Sequence, residues 1–414
     1  MSQRPDTYTK WAVIGAGEGG NRIAARMYAN ELSGIDERVV LVNTARRDVR
    51  QAVNRIREEL PDDGERLEDQ AAIFGPTQGV GNDFESGRQA AAEDFNQIVG
   101  GITDGAGPRA GTPADAFIHV TTLGGGTGNG STPYVVEQLS SGNTGSDDTG
   151  WLDGAVNVSM GVWPYYDEPT QRHFNAICGL SRLLCKSDGT QNADMVLLGS
   201  NSYIASGGSD DGTRNEDDNR TVNEQLATAI DLMIGAGREV DGGVIDVEDY
   251  VRIPSQIGAY HFTPGVTTGQ DGAITELEFM FDEAADNAFV PMDVETTRVA
   301  YAIVRVPRRL IGDREFTSTG VETAFKDWKR TKGIGGIQGM STLTVKEGGR
   351  NEVDVLLLLG GFDLNELLDH SWEQFEQHKE NLDAGRRLGN VTLSRQQMDQ
   401  IETNLTDYLR LVEA

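Results

Sequence analysis

Two glycine runs carry most of the chemistry that this sequence offers. Residues 124–131 read GGGTGNGS and follow a short apolar, β-branched run at 117–121, which predicts a buried strand. Pro133 suits the first turn of a helix that continues through Val135, Val136 and Leu139. A glycine-rich turn from strand into helix is a phosphate cradle: the backbone comes close, free amides point at the anion, and the helix N-terminus adds partial positive charge. The Lys of a Walker A motif is missing, so neutralisation falls to amides, the Thr127 and Ser131 hydroxyls, and a metal ion. A plain glycine-rich turn is the alternative. The second run, Gly15-Ala16-Gly17-Glu18-Gly19-Gly20, matches GxGxxG between a strand at 11–14 and a helix at 21–32, with the next strand at 39–42. A Rossmann unit has this form but needs an acidic residue at the end of the second strand. Asn43-Thr44 stands there instead, so an NAD(P)- or FAD-dependent oxidoreductase is the remote alternative. No Ser/His/Asp constellation is apparent, and His173 reads as structural.

The elements that must position these turns follow in order. Residues 49–70 form a polar helical stretch, and 100–113 a Gly- and Pro-rich linker. Residues 142–150 are a loose acidic insertion, 155–162 a strand, 195–198 a strand, and 206–219 a long acidic, glycine-rich loop. An apolar-periodic helix runs over 221–234. Beyond it come a strand at 298–306, a helix at 320–331, and strands at 342–345 and 353–359, the last near-continuously apolar and so buried. Amphipathic helices at 362–382 and 394–411 close the chain.

With 414 residues the chain has length for a large core and two domains. Its net charge of -29 argues against nucleic acid or an anionic membrane as partner. Acidic residues are spread along the chain and Lys is scarce beside Arg, a surface that resembles a salt-adapted protein of a halophilic archaeon. Cys178 and Cys185 form no disulfide framework or zinc pattern and read as core thiols, which fits a reducing cytoplasm. The N-terminus lacks a signal peptide and no apolar run reaches about 18 residues, so no membrane insertion is expected.

The string GGGTGNGS resembles the GGGTG[ST]G signature of the tubulin/FtsZ superfamily, with Asn129 in place of Ser or Thr. Over residues 11–359 other segments agree, and several resemble archaeal CetZ. The resemblance implies a parallel-sheet, Rossmann-like α/β GTPase domain (1–220), a long central helix (221–240), a smaller α/β domain (241–361) and C-terminal helices (362–414). It implies GTP or GDP with Mg²⁺, or K⁺ as the cation. Phosphate contacts would come from Gly17, Gly19, Gly20 and Asn21 in GAGEGGNR, and from Asn43 and Thr44 in NTARRD, where local turn capping is the alternative role. Gly79, Gly81 and Asn82 would approach the γ-phosphate side, and Gly124, Gly125, Gly126, Thr127, Gly128, Asn129 and Gly130 would form the main cradle.

On the nucleoside side the resemblance implies Glu168 and Arg172, whose spacing also suits an ordinary i,i+4 ion pair, together with Asn201 and Asn223. An amide such as Asn223 donates and accepts at once, which suits guanine. Asn219 stands where the family has a base-stacking aromatic residue. Residues 243–251, GVIDVEDYV, correspond to the family's NxDxxD loop, which enters the nucleotide site of the next subunit and orients the attacking water. Asp246 takes its Asn position and Glu248 its first acid; the second falls on Val251 unless Asp249 serves, so Asp246, Glu248 and Asp249 are the candidate catalytic carboxylates. The implied function is a head-to-tail protofilament for cell division or cell shape, hydrolysing GTP at the subunit interface. Other FtsZ or CetZ paralogues are further candidate partners. A nucleotide-binding regulator that hydrolyses weakly or not at all is the alternative that the altered loop supports.

Overall fold

The computed structural model describes residues 9–413 apart from 31–33, 36, 77, 109–110, 145–146, 207–217, 238–243, 271–275, 312–315, 347–351 and 385–390. The first half alternates strand and helix: β1 (Trp11–Ala16), α1 (Gly17–Ala29), β2 (Val39–Asn43), α2 (Arg46–Glu59), α3 (Pro61–Asp69), β3 (Ala72–Ile73), α4 (Phe84–Glu93), α5 (Phe95–Ala106) and β4 (Ala116–Thr122). It continues with α6 (Thr127–Ser140), β5 (Val156–Trp163), α7 (Thr170–Leu184), β6 (Met195–Ser200), α8 (Asn201–Ala205) and the helix α9 (Asp218–Gly235). Next come α10 (Val247–Ile257), β7 (His261–Gln270), α11 (Leu277–Asp286), β8 (Val299–Pro307), α12 (Ser318–Thr331), β9 (Gln338–Lys346), β10 (Glu352–Gly360), α13 (Asn365–Asp383) and α14 (Arg395–Glu413).

The strands form one sheet in the order β3-β2-β1-β4-β5-β6-β7-β10-β8-β9. Strands β1 to β6 pair in parallel, as strand–helix alternation demands, and β7 joins β6 in parallel through Val196 and Leu197. β10 then runs antiparallel to both β7 and β8. Helices cover both faces, so β1, β4, β5 and β10 are almost wholly buried and mostly apolar, with His119, Asn157 and Asp354 among the buried polar exceptions. α9 buries Val222, Leu226, Ile230 and Met233 against the sheet's core.

Three expectations need correction, and two elements carried no expectation. The polar stretch 49–70 is two helices: Pro61 opens α3 at its first turn, where its missing N–H costs nothing, and Leu60 before it is pushed out of helical geometry. The supposed linker at 100–113 carries the second half of α5, whose Ile98, Val99 and Ile102 are buried despite the neighbouring glycines. The segment 243–251 is not all loop, because α10 begins at Val247. β7 and α11 had no clear signal, since Pro264, Gly265 and Gly269 mask the strand pattern in HFTPGVTTGQ. The acidic loop at 206–219 lies mostly outside the described residues. Among the described residues no helix is long and apolar enough to cross a membrane.

Candidate functional site

At the C-terminal ends of β1, β4 and β5 lies a cavity of about 700 Å³. This is the position where parallel α/β sheets bind ligands. Two helices aim their N-termini at it. α1 begins at Gly17, which takes φ +70° as the chain leaves β1. α6 begins at Thr127, six residues earlier than Pro133 would place it, so the glycine run itself forms the first helical turn. Pro133 lies inside α6. The first-turn amides have no partner within a helix and are the groups an anion takes up.

The cavity wall brings together Gly17, Gly19, Gly79, Gly81, Asn82, Gly124, Gly125, Gly126, Thr127, Gly128, Glu168, Arg172 and Asn201, from segments far apart in sequence. A side chain at Gly128 would lie 2.1 Å from Ala16 O, so the two glycine turns touch through bare backbone. Asn82 adopts φ 61°, a left-handed conformation that Asn tolerates better than most residues. Thr127 Oγ1 and Thr44 Oγ1 are 2.9 Å apart, tying the main cradle to the turn after β2. Glu168 and Arg172 both line the cavity and also pair with each other at 3.1 Å, so both readings of their spacing hold in this structure.

Other predicted residues sit behind the wall. Gly20, Asn21, Asn43, Thr44, Asn129 and Gly130 are buried and do not line the cavity. Asn43 Oδ1 accepts from Ala45 N at 3.2 Å, the local turn cap that its position allows. Asn129 turns its amide inward, donating to Leu123 O at 2.6 Å and Asn175 O at 2.7 Å. Both amide atoms of Asn21 and Nδ2 of Asn43 are buried without a protein partner, an arrangement that polar ligands resolve. Asn223 lies half-buried on α9 and does not line the cavity, and the side chain of Asn219 lies outside the described residues.

Charge at the mouth is mixed. Glu18 pairs with Arg22 one turn on, and both face the cavity. Burial and the nearby Glu18 charge raise the Asp48 carboxyl above its ordinary value. Glu18 and Asp48 were not singled out from the sequence, although NTARRD contains Asp48. Asn175, also missed, meets two loops of the cavity wall: its Nδ2 lies 2.9 Å from Asn82 O and 3.1 Å from Gly124 O. A single Asn inside a helix has no spacing that would reveal it.

The three candidate carboxylates do not line this cavity. Asp246 is the N-cap of α10 and accepts from Asp249 N at 3.2 Å, while Asp249 Oδ2 accepts from Asp246 N at 3.3 Å. This reciprocal capping box occupies both side chains. Asp249 also meets Arg252 at 3.3 Å. Glu248 is exposed on the first turn between them.

The donor set fits a nucleotide phosphate tail: bare glycine backbone, two helix N-termini, and buried unpartnered amides beside them. It also offers Asp48 and the Thr127 hydroxyl, both on the cavity wall, as oxygen ligands for Mg²⁺.

No protein-family model matches the chain. The tubulin-like protein CetZ1 of Haloferax volcanii is 27% identical over 239 residues, 56% of this chain and 52% of that protein. The match thus spans about half of that relative. Among solved structures, the GTPγS-bound protofilament of CetZ2 from Haloferax volcanii superposes with a TM-score of 0.67 at 21% identity, covering 91% of this chain and 99% of that one. An FtsZ of M. jannaschii superposes with a TM-score of 0.63 at 20% identity, covering 86% and 91%. The shared architecture is the tubulin/FtsZ fold.

Proposed function

We propose that this chain is a CetZ-like member of the tubulin/FtsZ superfamily, that it binds a guanine nucleotide in the glycine-lined cavity, and that it assembles head to tail into protofilaments. One observation carries the reading: the N-termini of α1 and α6 converge, through bare glycine backbone, on a single cavity of about 700 Å³. That volume lies within the usual range of small-molecule sites. The solved CetZ2 neighbour is a GTPγS-bound protofilament, which supports both halves of the proposal.

The Gly124–Gly128 turn would hold the inner phosphates with its amides, and Gly79, Gly81 and Asn82 the outer one. Gly17 and Gly19 would close over the tail from α1. Glu168, Arg172 and Asn201 would meet the ribose and base, with Asn223 reaching the base from α9. A bound Mg²⁺ would neutralise the phosphate oxygens, as phosphoryl transfer requires. Asp246, Glu248 and Asp249 would enter the site of the adjacent subunit, which agrees with their absence from this chain's own cavity. An interface that joins unlike faces does not close, so assembly gives a filament. Cell division or shape control is the cellular role we assign.

The capping box favours a second reading of the same site. Asp246 and Asp249 each already serve a backbone N–H, leaving Glu248 as the exposed acid. A chain so equipped would bind nucleotide and co-assemble with FtsZ or CetZ paralogues while hydrolysing slowly or not at all.

Titration with a fluorescent GTP analogue in molar KCl and Mg²⁺ tests the first half. Saturable binding that Gly125→Ala weakens is expected. A side chain at Gly125 has no protein atom nearer than 3.7 Å, so the substitution crowds the ligand and spares the fold. Unchanged affinity in that variant would remove the cradle assignment.

A further inference from the structure

Behind the phosphate end of the cavity, three backbone carbonyls converge on one buried amide. Asn175 Nδ2 lies 2.9 Å from Asn82 O, 3.1 Å from Gly124 O and 3.3 Å from Gly125 O. Asn82 belongs to the loop before α4, while Gly124 and Gly125 belong to the loop before α6. Asn175 stands on α7, fully buried, one turn beyond Arg172 of the cavity wall. All three neighbours are acceptors, so the amide must present its N–H groups to them.

The helix that carries Asn175 is fixed to the same loop a second time. Asn129 Nδ2 donates to the main-chain carbonyl of Asn175 at 2.7 Å and to Leu123 O at 2.6 Å. This contact needs Gly179 on the next turn of α7, where a Cβ would fall 1.7 Å from Asn129 Oδ1. The substitution of Asn129 for Ser or Thr in the glycine signature thus has a physical partner in Gly179 and Asn175. Asn175, giving its side-chain amide to three carbonyls and its own carbonyl to Asn129, makes α7 the floor on which both loops rest.

We propose that Asn175 is a positioning residue that sets the gap between the Gly79–Asn82 loop and the Gly124–Gly128 loop, and through that gap the preference for a nucleoside triphosphate over a diphosphate. This rests on the nucleotide reading given above. Three carbonyl oxygens repel one another, and a shared donor holds them together. Without it the buried oxygens lose their partner, and the loops relax apart. The inner phosphates keep the α6 N-terminus and its amides. The outermost phosphate, which needs both loops at once, loses one side of its site. A buried anchor of purely structural value would weaken triphosphate and diphosphate equally.

The test is a paired titration of fluorescent GTP and GDP analogues against wild type, Asn175→Ala, Asn175→Ser and Ser181→Ala, with a melting curve for each. Ser181 is a control on the same helix, since its hydroxyl donates to Ile401 O at 2.8 Å, away from both loops. Asn175→Ala is expected to lower the GTP-to-GDP affinity ratio about tenfold, the scale of one buried hydrogen bond. Asn175→Ser, which keeps a donor and is the gentler change should the alanine variant fold poorly, should fall between. Ser181→Ala should melt lower with its ratio unchanged. A ratio that stays at the wild-type value in both Asn175 variants overturns the positioning role while wild-type binding keeps the nucleotide reading. Wild type that binds neither analogue overturns both.

Discussion

Asp246 and Asp249 close a reciprocal capping box at the start of α10, and this assigns the three neighbouring acids different tasks. Replacing Asp246 by Ala should cost about 1 kcal/mol of stability, as loss of an N-cap does, read as a lowered melting temperature. Glu248→Ala should leave melting unchanged and slow phosphate release in mixtures where it supplies the interface loop. If turnover persists in that variant, the exposed acid has no catalytic part. The glycines differ in the same way. Gly128→Ala would press a methyl onto Ala16 O and damage the fold itself, so Gly125→Ala is the cleaner probe of binding. Two buried imidazoles predict a pH response. Burial holds His119 and His261 down to about 4, and His261 is neutral, with Nε2 donating to Phe362 O at 2.8 Å and Nδ1 accepting from Tyr408 at 2.7 Å. An unfolded imidazole titrates near 6.5. Between those values the unfolded chain takes up protons that the folded chain refuses, so each histidine lowers stability by about 1.4 kcal/mol per pH unit on acidification. Melting temperature should fall as pH drops from 6.5 towards 4, and His119→Gln should flatten that fall. The glycine signatures were legible in the sequence because spacing defines them. The capping box was visible only as acids, since its meaning depends on where α10 begins.

At the scale of elements, the strands of the parallel half were readable because parallel, doubly covered strands are mostly apolar runs. Helix starts were less so. α6 begins within its glycines, so the glycine turn rather than side-chain propensity marks that boundary. The C-terminal helices had clear amphipathic patterns but no legible docking site, and long-range polar contacts supply it. Tyr408 of α14 accepts from Tyr260 N at 3.2 Å and His261 N at 3.3 Å. Thr392, just before α14, donates to the buried Asp83 carboxylate from its amide at 3.1 Å and its hydroxyl at 2.6 Å. Asp83 caps α4 through Ser86 N at 2.9 Å and follows Asn82 of the cavity wall. His370 of α13 stacks on Tyr166, beside the wall residue Tyr165. The hairpin of helices therefore braces two loops of the site. Thr392→Val should destabilise the chain by about 1.5–3 kcal/mol, the range for a hydrogen bond to a charged group. It should also speed hydrogen exchange at residues 79–86; unchanged exchange there would mean that the contact does not brace the loop.

Among the described residues, one ten-stranded sheet joins a parallel half that carries the glycine-lined cavity to a mixed half. We propose the boundaries near residues 220, 240 and 361 as functional divisions, with α9 spanning the middle. The formal net charge of -29 makes self-repulsion a whole-molecule property. Screening shortens its reach from about 10 Å at 0.1 M salt to about 3 Å at 1 M. Melting temperature should accordingly rise between those concentrations of KCl, and a flat response would contradict salt adaptation.

The central claim, a guanine nucleotide at the interface of a self-assembling chain, is tested most directly by pelleting. Protein at increasing concentration is spun in molar KCl and Mg²⁺ with GTP, with GDP and without nucleotide, while phosphate release is followed in parallel. The account predicts a pellet above a threshold concentration that depends on GTP. If turnover occurs, it should rise more steeply than linearly and track the pellet. A pellet without turnover selects the non-hydrolysing reading. Protein that stays in the supernatant with GTP at every concentration, or pellets equally without nucleotide, would contradict the account.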